Sequence, residues 1–320
     1  MRLVLAACAA LAAMATADNT RPIIGILTLP THNRPDATSY FPASYVKWVE
    51  SGGARAAPVK FDSTDAQLKA LLPSLNGFLF TGGGEDFYYP NKTLTPYSSL
   101  ALRILNEVRA AAEQKQRVPL WGTCLGFQLL SFVASGPNVD DPVLSCPPFN
   151  SEDIHLPLDP TAAWKGSEFQ RAAASAGGVD TILTTQGVTA NFHHCGITPD
   201  AFRGNSNLTK VFGEPLSTNK DLDGKEFVST IQGKDLPLYG TQWHPEKPVF
   251  EWTTSHHTNH DTASVKANSW TARFFVDQAR LNNRSFPTLN AETSALIYNY
   301  EPHFTGAGGS YDEFEQCYFF

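Results

Sequence analysis

One cysteine bracketed by glycines, and one histidine followed two residues later by a carboxylate, could together do covalent chemistry. Cys124 sits in Gly122-Thr-Cys-Leu-Gly126, the G-x-C-x-G pattern in which small residues let a chain turn sharply from strand into helix and push the middle side chain outward. That places its sulfur at a helix N-terminus, where unpaired N–H groups and the positive dipole end favour thiolate, the attacking form. A thiol nucleophile needs a base for its proton and a third group to orient that base. His244-Pro245-Glu246 supplies both. The residue before proline prefers an extended conformation, and side chains two apart in an extended stretch share a side, so Glu246 is expected to reach the ring nitrogen turned away from the sulfur. A thiolate–imidazolium pair persists well below a free cysteine's pKa of about 8.5, which predicts activity reaching into the acid range.

The remaining chemistry is supporting. Gly82-Gly83-Gly84 follows an apolar run, and glycine permits close backbone approach, so the Gly83 N–H together with that of Leu125 is expected to form an oxyanion hole. Ala190-Asn-Phe-His-His-Cys195 carries two adjacent histidines, of which only one can face a given side of a strand. His256, His257, His260 and Asp261 have spacing reminiscent of metal ligands. No HExxH or cysteine pair accompanies them, and a solvated loop is the better reading, with His260 turned to the cleft. Tyr45, Trp48 and Trp252 read as core or cleft-wall residues.

The elements that must position these groups follow from the pattern. Pro22 to Thr28 is a near-continuous apolar run, as in a strand buried on both faces. Tyr45, Trp48 and Val49 recur at helical spacing until Gly52-Gly53 stop them, and a short strand is expected near 56–61. A helix over 65–72 and a strand over 77–81 come next. Thr95 and Pro96 open a helix with Ala101, Leu105, Val108 and Ala112 on its apolar face. The strand before Cys124 and the helix after it complete the series. This alternation predicts an α/β fold, a doubly wound and mostly parallel sheet flanked by helices. Its ligand site lies at the carboxyl ends of the strands.

From about 138 to 240 the pattern shortens to runs broken by Pro, Asn, Asp and Gly, and antiparallel strands and loops are expected there rather than helices. Residues 226–232 and 236–243 predict a hairpin ending at His244. A helix over about 262–281, with Val265, Ala272, Val276 and Ala279 on one face, is expected to pack back on the sheet. The aromatic-rich tail, strand-like over 295–304 and 314–320, is expected to dock.

The chain of 320 residues, 42% hydrophobic, is long enough for a well-buried core, and its net charge of −7 argues against nucleic acid as a partner. A charged start, a short apolar run and Ala15-Thr-Ala17 read as a secretory signal peptide over 1–17. Residues 18–320 read as a single catalytic domain. After the leader, no uninterrupted apolar stretch of about 18 residues predicts a membrane span. Asn91, Asn207 and Asn283 each open an N-x-S/T sequon, expected in a glycoprotein. With Cys124 reserved for chemistry, one disulfide among Cys146, Cys195 and Cys317 is expected in an oxidising compartment, the pair left open.

Trp121-Gly-Thr-Cys-Leu-Gly-Phe-Gln128 and Gln242-Trp-His-Pro-Glu-Lys247 resemble the two signatures of class I glutamine amidotransferase-type domains. Pro22-Ile-Ile-Gly-Ile-Leu27, Ala43-Ser-Tyr-Val-Lys47, Ala190-Asn-Phe-His193, Gln242 to Pro248 and Phe314-Glu-Gln-Cys-Tyr318 resemble, more narrowly, the gamma-glutamyl hydrolase family over nearly the whole chain. The resemblance implies a Cys124, His244, Glu246 hydrolase that cuts gamma-glutamyl peptide bonds, typically of folylpoly-gamma-glutamates, through a thioester. It also implies a place in lysosomes, vacuoles or the extracellular space, and homodimers as in many relatives. His193 matches a histidine near the substrate in that family, and Gln128, Tyr45 and His260 are further candidate substrate contacts. The chain departs from the family's pattern at His194, Cys195 and the segment after Gly83. No metal or organic cofactor is called for. The competing readings are a glutaminase domain feeding ammonia to a synthase, and a secreted binding protein with no activity.

Overall fold

A computed structural model describes residues 18–320, apart from positions 33, 141 and 147. The expected signal peptide lies outside the described residues. An eight-stranded sheet runs in the order Arg55–Val59, Ile23–Leu27, Gly77–Phe80, Leu120–Thr123, Leu238–Thr241, Glu226–Gln232, Ser217–Lys220, Asp159–Pro160. The first five strands are parallel. The last three add antiparallel neighbours. The mostly parallel α/β sheet expected from the alternation is therefore present, with the hairpin at 226–241 forming the hinge between its two halves.

Successive side chains of a strand point to opposite faces, and the central strands show what that does here. Phe78, Phe80, Leu120 and Leu238 enter one core, under the helices Asp65–Leu71, Pro96–Glu113 and Leu125–Ala134. Leu79, Trp121 and Tyr239 enter the other, under Ala43–Ser51, Glu168–Ser175, Val179–Thr185 and Thr262–Ala279. With helices on both faces, these strands have no polar side to show, which is why they read as apolar runs. The expected 262–281 helix ends at Ala279, and Val265 is only half-buried where Ala272, Val276 and Ala279 are buried.

The region from 138 to 240 corrects the sequence reading in part. Its strands are antiparallel, including the pair Ser151–Leu156 and Thr189–His193. It also holds four helices, Glu168–Ser175, Val179–Thr185, Pro199–Gly204 and Ser206–Phe212. Each is about two turns or less, too short for a 3.6-residue period to emerge. Three are started by side-chain caps, Ser167, Thr198 and Asn205, which accept from backbone N–H groups of the first turn.

The tail docks, as its aromatic content predicts. Gln316–Phe319 lies between Pro302–Phe304 and Ser39–Pro42 in a four-stranded antiparallel sheet. Of the stretch expected to be strand-like over 295–304, Ile297–Asn299 is instead a 3-10 turn and Pro302–Phe304 a strand, and ahead of it Leu289–Ala295, for which no element is expected, is a helix. Cys146 and Cys195 form the disulfide, leaving Cys317 buried and free.

Candidate active site

Three neighbouring parallel strands, Gly77–Phe80, Leu120–Thr123 and Leu238–Thr241, end side by side. The chain leaving each carries Gly82–Gly84, Cys124 and His244 respectively. Cys124 has φ +50 and ψ −108, a strained conformation for a residue with a Cβ, of the kind concentrated at functional turns. The surrounding structure enforces it. The Cys124 N–H donates to the Thr241 carbonyl at 2.8 Å, and the turn is pressed so tightly that a Cβ on Gly122 would overlap the Gly126 carbonyl and one on Gly126 the Phe80 carbonyl.

His244 is fixed by its own backbone N–H, which donates to the Ala190 carbonyl at 2.8 Å, and by its ring. Nδ1 lies 2.6 Å from Glu246 Oε1, with both side chains buried. Glu246 is not extended: its φ of −79 and ψ of −32 make it the cap of the short helix Lys247–Phe250. The carboxylate nonetheless reaches the ring. Gly82 stands where the groups converge, since a Cβ there would lie 2.6 Å from the Tyr45 hydroxyl, 2.7 Å from His244 Cε1 and 3.4 Å from Cys124 Cβ.

Burial opposes a charged His244, yet Glu246 and then Cys124 outweigh it and hold the ring's pKa at about 9. Burial likewise pushes the Glu246 carboxyl up, but His244, helped by Lys247, keeps it below the ordinary carboxylate range. The pair is thus an imidazolium and a carboxylate at neutral pH.

A cleft of about 820 Å³ opens over Cys124. Gly83, Leu125, Gln128 and His193 line it, as do Phe87, Tyr88, Phe132 and Phe192. The N–H groups of Gly83 and Leu125 have no acceptor among the described residues. Gln128 Nε2 donates to the Cys195 carbonyl at 2.9 Å, and His193 Nδ1 donates to the same oxygen at 3.0 Å. His193 is 4% exposed and its Nε2 has no partner among the described residues. Burial pushes its pKa down to about 3, so the ring is neutral and that nitrogen is an acceptor.

Two expected substrate contacts stand elsewhere. Tyr45 is buried behind the histidine, accepting the Gly82 N–H at 2.7 Å and lying 3.4 Å from His244 Nδ1, because its helix packs that face inward. His260 is off the cleft, bonded to the Pro248 carbonyl at 3.0 Å and stacked on Trp252 with centroids 4.0 Å apart. The other two histidines of its cluster go separate ways, His256 against Phe192 and His257 to Asp153.

Phe192 and Lys247 were not singled out in the sequence. The Phe192 carbonyl accepts from Cys124 Sγ at 3.9 Å, and its ring lies 5.8 Å from that of His244. Its place one residue before His193 on a strand near the nucleophile was the available signal. Lys247 follows Glu246 directly and is buried. The disulfide also lies on the cleft wall.

An elbow cysteine beside a buried histidine–carboxylate pair, at adjacent ends of a parallel sheet, gives the nucleophile, acid–base group and orienting carboxylate of a thiol hydrolase. The comparisons agree. The family described as peptidase C26 matches residues 22–246, more than half of the chain. Gamma-glutamyl hydrolase of Homo sapiens is 37% identical over 94% of this chain and 90% of its own length. Gamma-glutamyl hydrolase B of Dictyostelium discoideum is 35% identical over 90% of this chain and 80% of its own, and probable gamma-glutamyl hydrolase 3 of Arabidopsis thaliana 34% over 92% and 83%. The chain belongs to the peptidase C26 family.

Proposed function

We propose that this protein hydrolyses gamma-glutamyl peptide bonds, with folylpoly-gamma-glutamates as substrates, through a thioester on Cys124. The observation that carries the reading is the placement of Cys124 at a strained elbow beside His244 and Glu246. The names of the relatives supply the bond that is cut.

In this mechanism Cys124 Sγ attacks the gamma-carbonyl carbon, and the carbonyl oxygen becomes an oxyanion facing the free N–H groups of Gly83 and Leu125. Each such donor contributes roughly 10²–10³ in rate. Nδ1 of His244 is held by Glu246, which leaves Nε2 to hand a proton to the departing nitrogen as the C–N bond breaks. Water then attacks the thioester carbon, His244 takes its proton, and the C–S bond breaks to release the gamma-carboxylate. Gln128 and the acceptor nitrogen of His193 are the polar groups available to orient the glutamyl unit, and the aromatic wall of Phe87, Tyr88 and Phe132 offers a surface for a flat apolar group.

We also infer a secretory route, to a lysosome, vacuole or the extracellular space, with residues 18–320 acting as one catalytic domain. Three features support this: the leader pattern, exposed asparagines in all three sequons, and a disulfide. Among the described residues no helix is long and apolar enough to cross a membrane.

The experiment is hydrolysis of a pteroyl-oligo-gamma-glutamate by the mature protein between about pH 4.5 and 8, the span of histidine titration, beside Cys124→Ala. Release of glutamate or glutamate oligomers by the wild type alone supports the reading. A folded wild type that leaves the substrate intact refutes it.

A further inference from the structure

The family match ends at Glu246, yet the next residues meet the far end of the chain. Lys247 is 3% exposed, and its Nζ makes no hydrogen bond or ion pair among the described residues. It lies over the rings of Phe192 and Phe314, 4.7 and 5.3 Å from their centroids. An ammonium in such a place is costly unless compensated. The two aromatic faces offset part of that cost. The carboxylates around it are Glu246 and Glu251 on its own stretch and Glu313 on the tail, while burial and Lys247 itself hold the neighbouring His256 toward its neutral form.

Two further bonds tie the same stretch to the tail. The buried Glu251 carboxylate accepts the Glu315 N–H at 2.6 Å, and the Thr253 hydroxyl donates to the Asp312 carbonyl at 2.9 Å. Beyond Glu315 the tail strand pairs with Ser39–Pro42, Cys317 opposite Pro42 and Phe319 opposite Tyr40. Pro42 caps the helix that carries Tyr45, whose hydroxyl touches Gly82 and His244. The tail therefore grips the chain leaving Glu246 and the chain leading to Tyr45, on either side of one histidine.

We propose that the C-terminal segment 314–320 is a positioning element for the His244–Glu246 pair, acting through Lys247, Glu251 and Tyr45 without touching substrate. A tail that merely completed a surface sheet would need neither a buried carboxylate on its backbone nor an aromatic ring on the lysine beside the catalytic glutamate. The proposal rests on the thiol-hydrolase reading, and its test is chosen so that the two fail separately.

Phe314→Leu keeps the apolar volume and removes the aromatic face, while Phe314→Tyr keeps both. Glu251→Ala removes the acceptor for Glu315, while Glu251→Gln retains one. In the full-length protein, Phe314→Leu and Glu251→Ala are expected to lower kcat about tenfold per folded molecule with KM within about twofold, as small misplacements of catalytic groups do. The Tyr and Gln variants should restore it. Independently of any substrate, the pH dependence of iodoacetamide alkylation at Cys124, read on its own peptide by mass spectrometry, should change in the first two variants and return in the second two. An alkylation profile identical to wild type in folded Phe314→Leu and Glu251→Ala overturns the proposal. Wild-type failure to cut gamma-glutamyl bonds would instead overturn the functional reading, with the alkylation test still decisive for the tail.

Discussion

His244 Nδ1 and Glu246 Oε1 lie 2.6 Å apart with both side chains buried, and the second carboxylate oxygen of Glu246 has no partner among the described residues. The carboxylate's task is to fix the tautomer and hold the charge of the ring. Glu246→Gln keeps the shape and removes the charge. Its kcat should fall by about 10²–10⁴-fold, the range set by comparable triads, with little change in fold. Steady-state kinetics beside a thermal melt check this, and a loss under about threefold would deny Glu246 the orienting role.

The histidines set opposite limits on stability. His244, raised to about 9, contributes stability that is full below its unfolded value near 6.5 and is lost as pH rises through about 9. His193, lowered to about 3, acts in reverse: the unfolded chain binds the proton first, so stability declines as pH falls below about 6.5. Each contribution is on the order of a few kcal/mol. Tm measured against pH should therefore flatten on the acid side in His193→Gln and on the alkaline side in Glu246→Gln. Unchanged slopes in both variants would contradict the assignment.

Gly126 sits where an added methyl would overlap the Phe80 carbonyl oxygen. Gly126→Ala must push the elbow helix off the sheet, and we expect loss of activity with destabilisation of about 1–3 kcal/mol, as for other overpacked sites. Denaturant melts and activity on the same preparation test it. Wild-type kinetics would mean that the elbow has slack.

The legible parts of this molecule were those with one dominant local cause. The elbow could be read because two glycines are required by backbone contact, and the parallel sheet because strands buried on both faces lose their alternation. Helix Ala43–Ser51 showed in Tyr45, Trp48 and Val49, but not that Tyr45 turns to Gly82 and His244 and away from the cleft. That depends on a crossing between distant segments. The short helices at 168–185 and 199–212 are too brief for a period, three of the four being set by caps, and the Cys146–Cys195 pairing needs the approach of two loops. Lys247 has no pattern of its own; only the folded chain buries it against Phe192 and Phe314.

The disulfide closes a separation of 49 residues, which the chain-entropy account values at about 4 kcal/mol. It also fixes the Cys195 carbonyl that receives Gln128 and His193. Cys146→Ser with Cys195→Ser should lower Tm and raise KM more than it lowers kcat. Equal KM in the folded double variant would show that the cleft wall holds without the bridge.

Mass spectrometry of enzyme acid-quenched during turnover of a gamma-glutamyl substrate would detect a covalent gamma-glutamyl thioester on Cys124. An added gamma-glutamyl acyl mass is expected on the peptide containing Cys124, absent from Cys124→Ala, which also fails to turn over. Turnover that persists in Cys124→Ala, with no adduct on the wild-type peptide, would rule out the thioester route.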